Sequence, residues 1–305
     1  MRCEGVRAGG AMAACSAALL LASACVVTVD QGRYSVRDEK KFQVKGTPDL
    51  ALTTFDGSVE IRSWDRPEVL VEIEKRAGDK TQADAIEVRA EQSGDAITID
   101  VKKPAGPEVV LGFRAAPSAK VVAAVPRRCN IVARSGDGSI TIERIEGKID
   151  LNTGDGNVKG LDLAGSLRVH TGDGTLRFDR IAGSVDLESG DGGARISGRL
   201  GAVKLLTGDG SVEVRADEGS SMTADWEIRT GDGGLRLEVP EGFGATLLAS
   251  TSDGAVRVNG FGDAATAGGD AQNRRSRSEV RRVLGAGGRL LRLHTGSGTI
   301  TVKKF

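Results

Sequence analysis

Four letters, Thr153-Gly154-Asp155-Gly156, return at Thr171–Gly174, Thr207–Gly210 and Thr230–Gly233, with variants at Ser135–Gly138, Ser189–Gly192 and Ser252–Gly254. The aspartates Asp137, Asp155, Asp173, Asp191 and Asp209 keep a constant 18-residue spacing, four times in succession; Asp232 and Asp253 follow at intervals of 23 and 21. Self-similarity at a fixed short period marks a repeat architecture and constrains the fold more than any other feature of the chain.

Apolar residues recur 3, 5, 8, 12 and 14 places after each aspartate. From Asp137 they are Ile140, Ile142, Ile145, Ile149 and Leu151; from Asp173, Leu176, Phe178, Ile181, Val185 and Leu187. The repeat after Asp155 gives Val158, Gly160, Leu163, Leu167 and Val169, with one apolar position lost to glycine. After Asp191 the pattern loosens to Ala194, Ile196, Leu200 (one place late), Val203 and Leu205. Steps of two are the period of a strand, and helical steps of three and four are missing from this stretch. Each repeat therefore predicts two short strands. One joint carries Gly147, Gly165, Gly183 or Gly201, and the other is the Gly-Asp-Gly turn.

An 18-residue unit of two strands cannot bury its own apolar face, but a stack of such units can, each strand pairing in parallel with its equivalent about 4.8 Å away. The pattern predicts an all-β chain folded as a parallel, β-helix-like β-solenoid of 18-residue, two-strand coils capped by irregular β segments. Parallel crossovers of this kind are right-handed. An antiparallel meander with Asp-Gly hairpins is the alternative. It fits less well, because identity recurs once per pair of strands rather than once per strand and the two joints alternate strictly. Glycine is abundant at 43 residues, against 7 prolines and 3% aromatics, as many turns around a slim aliphatic core require.

Residues 119–259 form the solenoid on this reading, with "KVVAAV" at Lys120–Val125 entering its first coil. Residues 44–118 form an N-terminal β segment or cap, with Asp56-Gly57 as an early copy of the turn. A Gly/Arg-rich insertion at 260–288 precedes strands at 289–305, where Ser297 replaces the aspartate and the chain caps its far end. Terminal units that depart from consensus suit the ends of a stack.

The stretches "LTTFDGSVEIRSWDRPEVLVEIEKRA", the run of "TGDG" turns and "GAGGRLLRLHTGSGTITV" together resemble the DUF4097 family of bacterial envelope proteins, which carries the label adhesin and is related to DUF2807. The resemblance covers about Val44 to Phe305 and implies a β-helix-like repeat fold. It implies no catalytic residues, and "GGDAQNRRSRSEVRR" is an insertion relative to the pattern.

Residues 1–24 read as an export signal. Arg2 and Arg7 supply the positive start, and Ala11–Leu21 is an apolar run too short to span a bilayer. The run ends in Leu21-Ala22-Ser23-Ala24-Cys25, which resembles a lipobox that would make Cys25 the lipid-bearing first residue, with Ala22 in place of the usual leucine. Ala22-Ser23-Ala24 also serves ordinary signal cleavage at the same point, which would leave a secreted protein with a free thiol. Residues 25–43 then form a tether. Cys3 and Cys15 leave with the signal, so Cys129 is the one cysteine left beside Cys25, and no disulfide framework or metal-type cysteine spacing exists.

Stacked coils would place Asp137, Asp155, Asp173, Asp191 and Asp209 in a column where adjacent carboxylates repel by about 1 kcal/mol in water. A calcium ladder would relieve this repulsion, but one carboxylate per coil is a sparse ligand set. Turn chemistry explains the motif better, aspartate bonding its own backbone and glycine supplying positive φ. Thr153, Thr171, Thr207 and Thr230 form a parallel column that reads as a hydroxyl ladder rather than an ice-binding rank. The mature chain's histidines, His170 and His294, lie outside any nucleophile motif. Arg274, Arg275, Arg277, Arg281 and Arg282 form a cluster suited either to anionic lipid or glycan or to a solvated loop.

Lys+Arg and Asp+Glu both number 42, which argues against nucleic acid as a partner. The sequence predicts an exported, lipid-anchored, non-enzymatic cell-envelope β-solenoid with a structural, adhesion or binding role and no catalytic residue or cofactor. Its partners would be the membrane, through the anchor, and an envelope glycan or another envelope protein. Val26 after Cys25 points to the outer membrane. The alternatives are a carbohydrate-active β-helix lyase or hydrolase, which needs clustered carboxylates and basic groups on one face, and an envelope-stress regulatory component.

Overall fold

The repeat seen in the sequence becomes one turn of a two-sheet coil. The computed structural model describes residues 26–30, 33–103, 116–261 and 278–305. Residues 140–153 show one coil. Ile140–Glu143 leaves a Gly-Asp-Gly turn, the chain rounds a corner, and Glu146–Thr153 enters the next turn. Strands that leave turns stack into one sheet, here the post-turn sheet, and strands that enter turns stack into the pre-turn sheet. Three strands, Val158–Thr171, Leu176–Ser189 and Ala194–Thr207, run round the corner unbroken and join the two sheets.

Each repeat pairs in parallel with the next, equivalent residue against equivalent residue: Ile140 with Val158, Val158 with Leu176, Leu176 with Ala194. The meander is thereby excluded. The aliphatic column at offsets 3, 5, 8, 12 and 14 fills the space between the sheets. Gly160, the lost apolar position, is occupied from the next coil, because a β-carbon there would overlap the Phe178 ring. The late Leu200 has its counterpart in register shifts between residues 176–189 and 194–207, one on each side of the corner, and Leu200 is still buried.

The corners use left-handed backbone. Arg144, Asp162 and Arg180, equivalent positions in successive coils, have φ of 56°, 57° and 55°, and Gly165 and Gly183 follow at 114° and 138°. The Gly-Asp-Gly turns differ from the sequence expectation. From residue 136 to residue 233 none of their glycines has positive φ. Stacking is what requires them. A β-carbon on Gly156, Gly174 or Gly192 would overlap the carbonyl oxygen of the equivalent glycine one coil below.

Chain order is not stacking order. Leu290–Ser297 lies between Trp226–Asp232 and Ala245–Asp253, paired in parallel with both, and Ile300–Lys304 lies likewise between Leu235–Val239 and Val256–Asn259. Residues 289–305 are therefore an internal coil rather than the end cap that their position in the sequence suggests. The cap on the pre-turn sheet is Glu279–Leu284, antiparallel to Ala245–Asp253 and drawn from the stretch read as an insertion.

The other end mirrors this. Asp49–Thr54 and Val59–Trp64 form a true coil stacked on Asn130–Ser135 and Ile140–Glu143, so the solenoid starts well before residue 119. Ala96–Lys102 and Ser118–Pro126, later in sequence, lie outside that coil. Antiparallel strands finish both sheets, Glu87–Ser93 on one and Glu68–Ala77, Arg33–Gln43 and Val26–Asp30 on the other. The segment read as a tether is thus largely strand. Such antiparallel ends block further edge-to-edge growth.

Candidate functional site

The aspartates stand in single file along the turn edge. Asp137, Asp155, Asp173, Asp191 and Asp209 are all exposed, and Asp232, Ser297 and Asp253 continue the file in register. Ser297 sits between two aspartates and donates its hydroxyl to Asp232 Oδ1 at 2.5 Å. A donor thus stands where a further carboxylate would repel its neighbours. Each coil brings at most one carboxylate to this edge. Among the described residues, no group of three or more His, Cys, Asp or Glu side chains is placed to hold a metal ion.

The threonines beside them point inward. Thr153 donates to the carbonyls of Gly136 and Gly138 at 3.1 and 2.8 Å, and Thr171 to those of Gly154 and Gly156 at 3.1 and 3.0 Å. Ser135, Ser189, Thr207 and Thr230 bond the turn below in the same way. The ladder follows the stacking order, for Thr295 bonds Gly231 and Gly233, while Thr251 bonds Gly298. Each buried hydroxyl clamps two coils together. Thr54 is the exception. Its register neighbour is Val101 rather than a glycine turn, and its buried hydroxyl has no partner.

The pre-turn face is a charge ladder. Asp150, Arg168, Asp186, Lys204, Glu227 and Arg292 stack in register with alternating sign. Arg168 and Lys204 reach Asp186 at 3.4 and 3.5 Å, and Arg292 reaches Glu227 at 3.9 Å. The next outward row carries both histidines. His170 lies 3.7 Å from Glu188, and His294 Nδ1 lies 3.0 Å from Ser250 Oγ. The neighbouring coil brings Arg229 beside His294, rather than a carboxylate that would orient the ring for base catalysis. The structure places the two histidines apart, at different heights on an open sheet.

The post-turn face is uneven. Its first outward row, just beyond the turns, reads Asn157, Thr175, Gly193, Ser211, Gly234, Thr299. The next row holds Arg177, Arg195, Glu213 and Arg236. Between these rows lies an open trough of about 640 Å³. The sequence reasoning passed over it. The signal was the doubled glycine in Gly192-Gly193 and Gly233-Gly234, where the other repeats, except at Ala255, place a polar side chain after the turn.

Cys129 is buried, and its thiol is pushed up to about 12, chiefly by burial and then by the nearby Asp49 carboxylate. It is an inert core residue. In the arginine cluster, Arg281 is exposed and 3.5 Å from Glu279, while Arg282 is half-buried and donates to the Phe261 carbonyl. Arg274, Arg275, Arg277 and Cys25 lie outside the described residues.

The solved structures that match this chain share little sequence with it. A candidate adhesin from Parabacteroides merdae is 12% identical, with a TM-score of 0.39 over 88% of this chain and 96% of its own. A candidate lipid-binding protein from Parabacteroides distasonis is 12% identical, with a TM-score of 0.37 and the same shares covered. A candidate cell adhesion protein from Clostridium sporogenes is 14% identical, with a TM-score of 0.29 over 88% of this chain and all of the other. No curated protein matches the chain. The model of the Toastrack DUF4097 family matches residues 48–303, from the first coil to the last strand, and the chain belongs to that family.

Proposed function

We propose that this protein is an exported, lipid-anchored, non-enzymatic rod of the cell envelope, which holds its lateral faces out for binding or adhesion. The observation that carries the reading is the position of its first strand. Val26–Asp30 starts one residue after Cys25 and is the outermost strand of the post-turn sheet at the N-terminal end of the stack. A lipid on Cys25 would hold the rod by that end and leave both sheet faces free. The outward carboxylates support a role without catalysis. Asp186, Glu213 and Glu238 are each engaged by lysine or arginine, and the Arg236 hydrogen bond holds Glu238 below the usual carboxylate range. A glycosidase acid requires the opposite shift.

Metabolic labelling with a clickable fatty acid tests the anchor. The wild type should carry label and sediment with membranes, and Cys25→Ala should do neither. A mature N-terminus whose mass corresponds to unmodified Cys25 would refute the anchor.

A further inference from the structure

The trough exists because two side chains are missing, one of them, at Gly234, where the fold has room for it. A β-carbon at Gly192 or Gly233 would collide with the coil below. At Gly193, however, it would meet the Ser211 carbonyl oxygen at 3.1 Å, and at Gly234 the Thr299 carbonyl oxygen at 3.9 Å. Neither residue has positive φ. Packing explains Gly192 and Gly233 and bears on Gly193, but leaves Gly234 unexplained. What Gly193 and Gly234 do is lower the outward row on either side of Ser211. The depression runs from Thr175 to Thr301 across five coils, about 19 Å along the rod.

One wall of the trough carries three guanidiniums, each held in place by a carboxylate. Arg177, Arg195 and Arg236 face it, with Glu213 as the carboxylate among them. Arg177 Nε bonds Asp179 at 3.3 Å, and Arg236 Nε bonds Glu238 at 3.0 Å. Both acids lie one outward row further from the turns, so they fix these guanidiniums from the far side. Arg195 reaches Glu213 through Nη2 at 2.5 Å. The guanidiniums keep further N–H groups for a ligand, already ordered, which lowers the entropic cost of binding.

We propose that this trough binds a linear anionic polysaccharide laid along the rod axis. Its acidic groups would meet the arginines, and its ring hydroxyls would meet Thr175, Ser211 and Thr299 and the backbone bared at the two glycines. A ligand of repeating units matches guanidiniums that recur on three of the trough's five coils, and the N–H groups left over beside their carboxylate pairs suit acidic substituents. Trough-lining residues include no aromatic side chain on which a nucleobase could stack. The inference deepens the binding role proposed above and rests on it.

Calorimetric titration of the soluble mature protein tests it, with polygalacturonate as probe, dextran as the uncharged control and single-stranded DNA as the control for charge alone. Polygalacturonate should bind and dextran should not. Gly234→Thr, which restores a side chain to the row, and Arg195→Ala should each weaken binding by about tenfold or more with an unchanged urea midpoint. Arg168→Ala on the opposite face should bind as the wild type does. Absence of polygalacturonate binding, wild-type affinity in Gly234→Thr, or equal affinity for single-stranded DNA would overturn the proposal. None of these readings depends on Cys25, so a failed trough leaves the anchor standing, and an unmodified Cys25 leaves the trough untouched.

Discussion

The hydroxyl ladder contains its own control, because two of its members should respond to one substitution with opposite sign. Thr171 is fully buried and bonds the Gly154 and Gly156 carbonyls. Replacing it with valine keeps the shape and removes both bonds. Gly154 keeps its backbone bond from Gly172, so the larger loss falls at Gly156. A buried hydrogen bond contributes about 0.5–1.5 kcal/mol net, and an acceptor left unpaired costs about 1–3 kcal/mol, so Thr171→Val should destabilise by about 1–3 kcal/mol. Thr54 is 3% exposed and its hydroxyl bonds nothing. There the same change removes a buried, unpaired polar group and should stabilise by about 1 kcal/mol. With a denaturant slope of about 2–3 kcal/mol per molar, the two urea midpoints should separate by about 0.7–2 M, on either side of the wild type. Equal losses from both variants would show that the ladder's stability does not come from its hydrogen bonds.

Deleting residues 290–305 should open a gap about 9.6 Å wide between Trp226–Asp232 and Ala245–Asp253, twice the spacing of paired strands, so limited proteolysis should cut within residues 226–259 and spare the coils before residue 216; an unchanged cleavage pattern would contradict an internal coil. Gly174→Ala puts a methyl group into the Gly156 carbonyl and should cost about 2–3 kcal/mol by urea unfolding, whereas Gly234→Ser should cost less than about 1 kcal/mol. Burial raises the Cys129 thiol from its unfolded value to about 12, so the folded state holds the proton more tightly than the unfolded state does. Its contribution is complete below about pH 8.5 and is lost as pH rises toward 12, at up to about 1.4 kcal/mol per pH unit. Cys129→Ala should flatten that alkaline decline relative to the wild type, and an identical pH profile would refute the assignment.

How much of this was legible in the sequence depended on whether the information lay within one repeat or between repeats. Strand positions, inward faces and both joints follow from spacing alone, and Ile140, Leu176 and Phe178 are buried where the pattern puts them. The role of the turn glycines was not legible, because positive φ and close stacking both select glycine and only the neighbouring coil distinguishes them. Stacking order was also hidden. All coils present the same parallel register and the same aliphatic interior, so "RLLRLHTGSGTITV" fits inside the stack as well as at its tip. Ser297 was visible as a departure from the aspartate column, but its donation to Asp232 required knowing which coil lies beside it. The trough was half-legible. Doubled glycines at Gly193 and Gly234 are plain in the sequence, yet what they open depends on the arginine row that the coil geometry sets beside them.

The central structural claim, that the chain's last coil lies inside the rod, can be measured by disulfide trapping. In a mature chain with Cys25 and Cys129 replaced by alanine, Arg229→Cys with His294→Cys places two thiols on adjacent strands, and Arg229→Cys with Ser250→Cys places them two strands apart. Disulfides need Cα atoms about 4.4–6.8 Å apart, which one strand spacing satisfies and two, at about 9.6 Å, do not. The intercalated order predicts rapid oxidation of the 229–294 pair and none of the 229–250 pair. Closure of the 229–250 pair instead would show that the coils stack in chain order, and the account would be wrong.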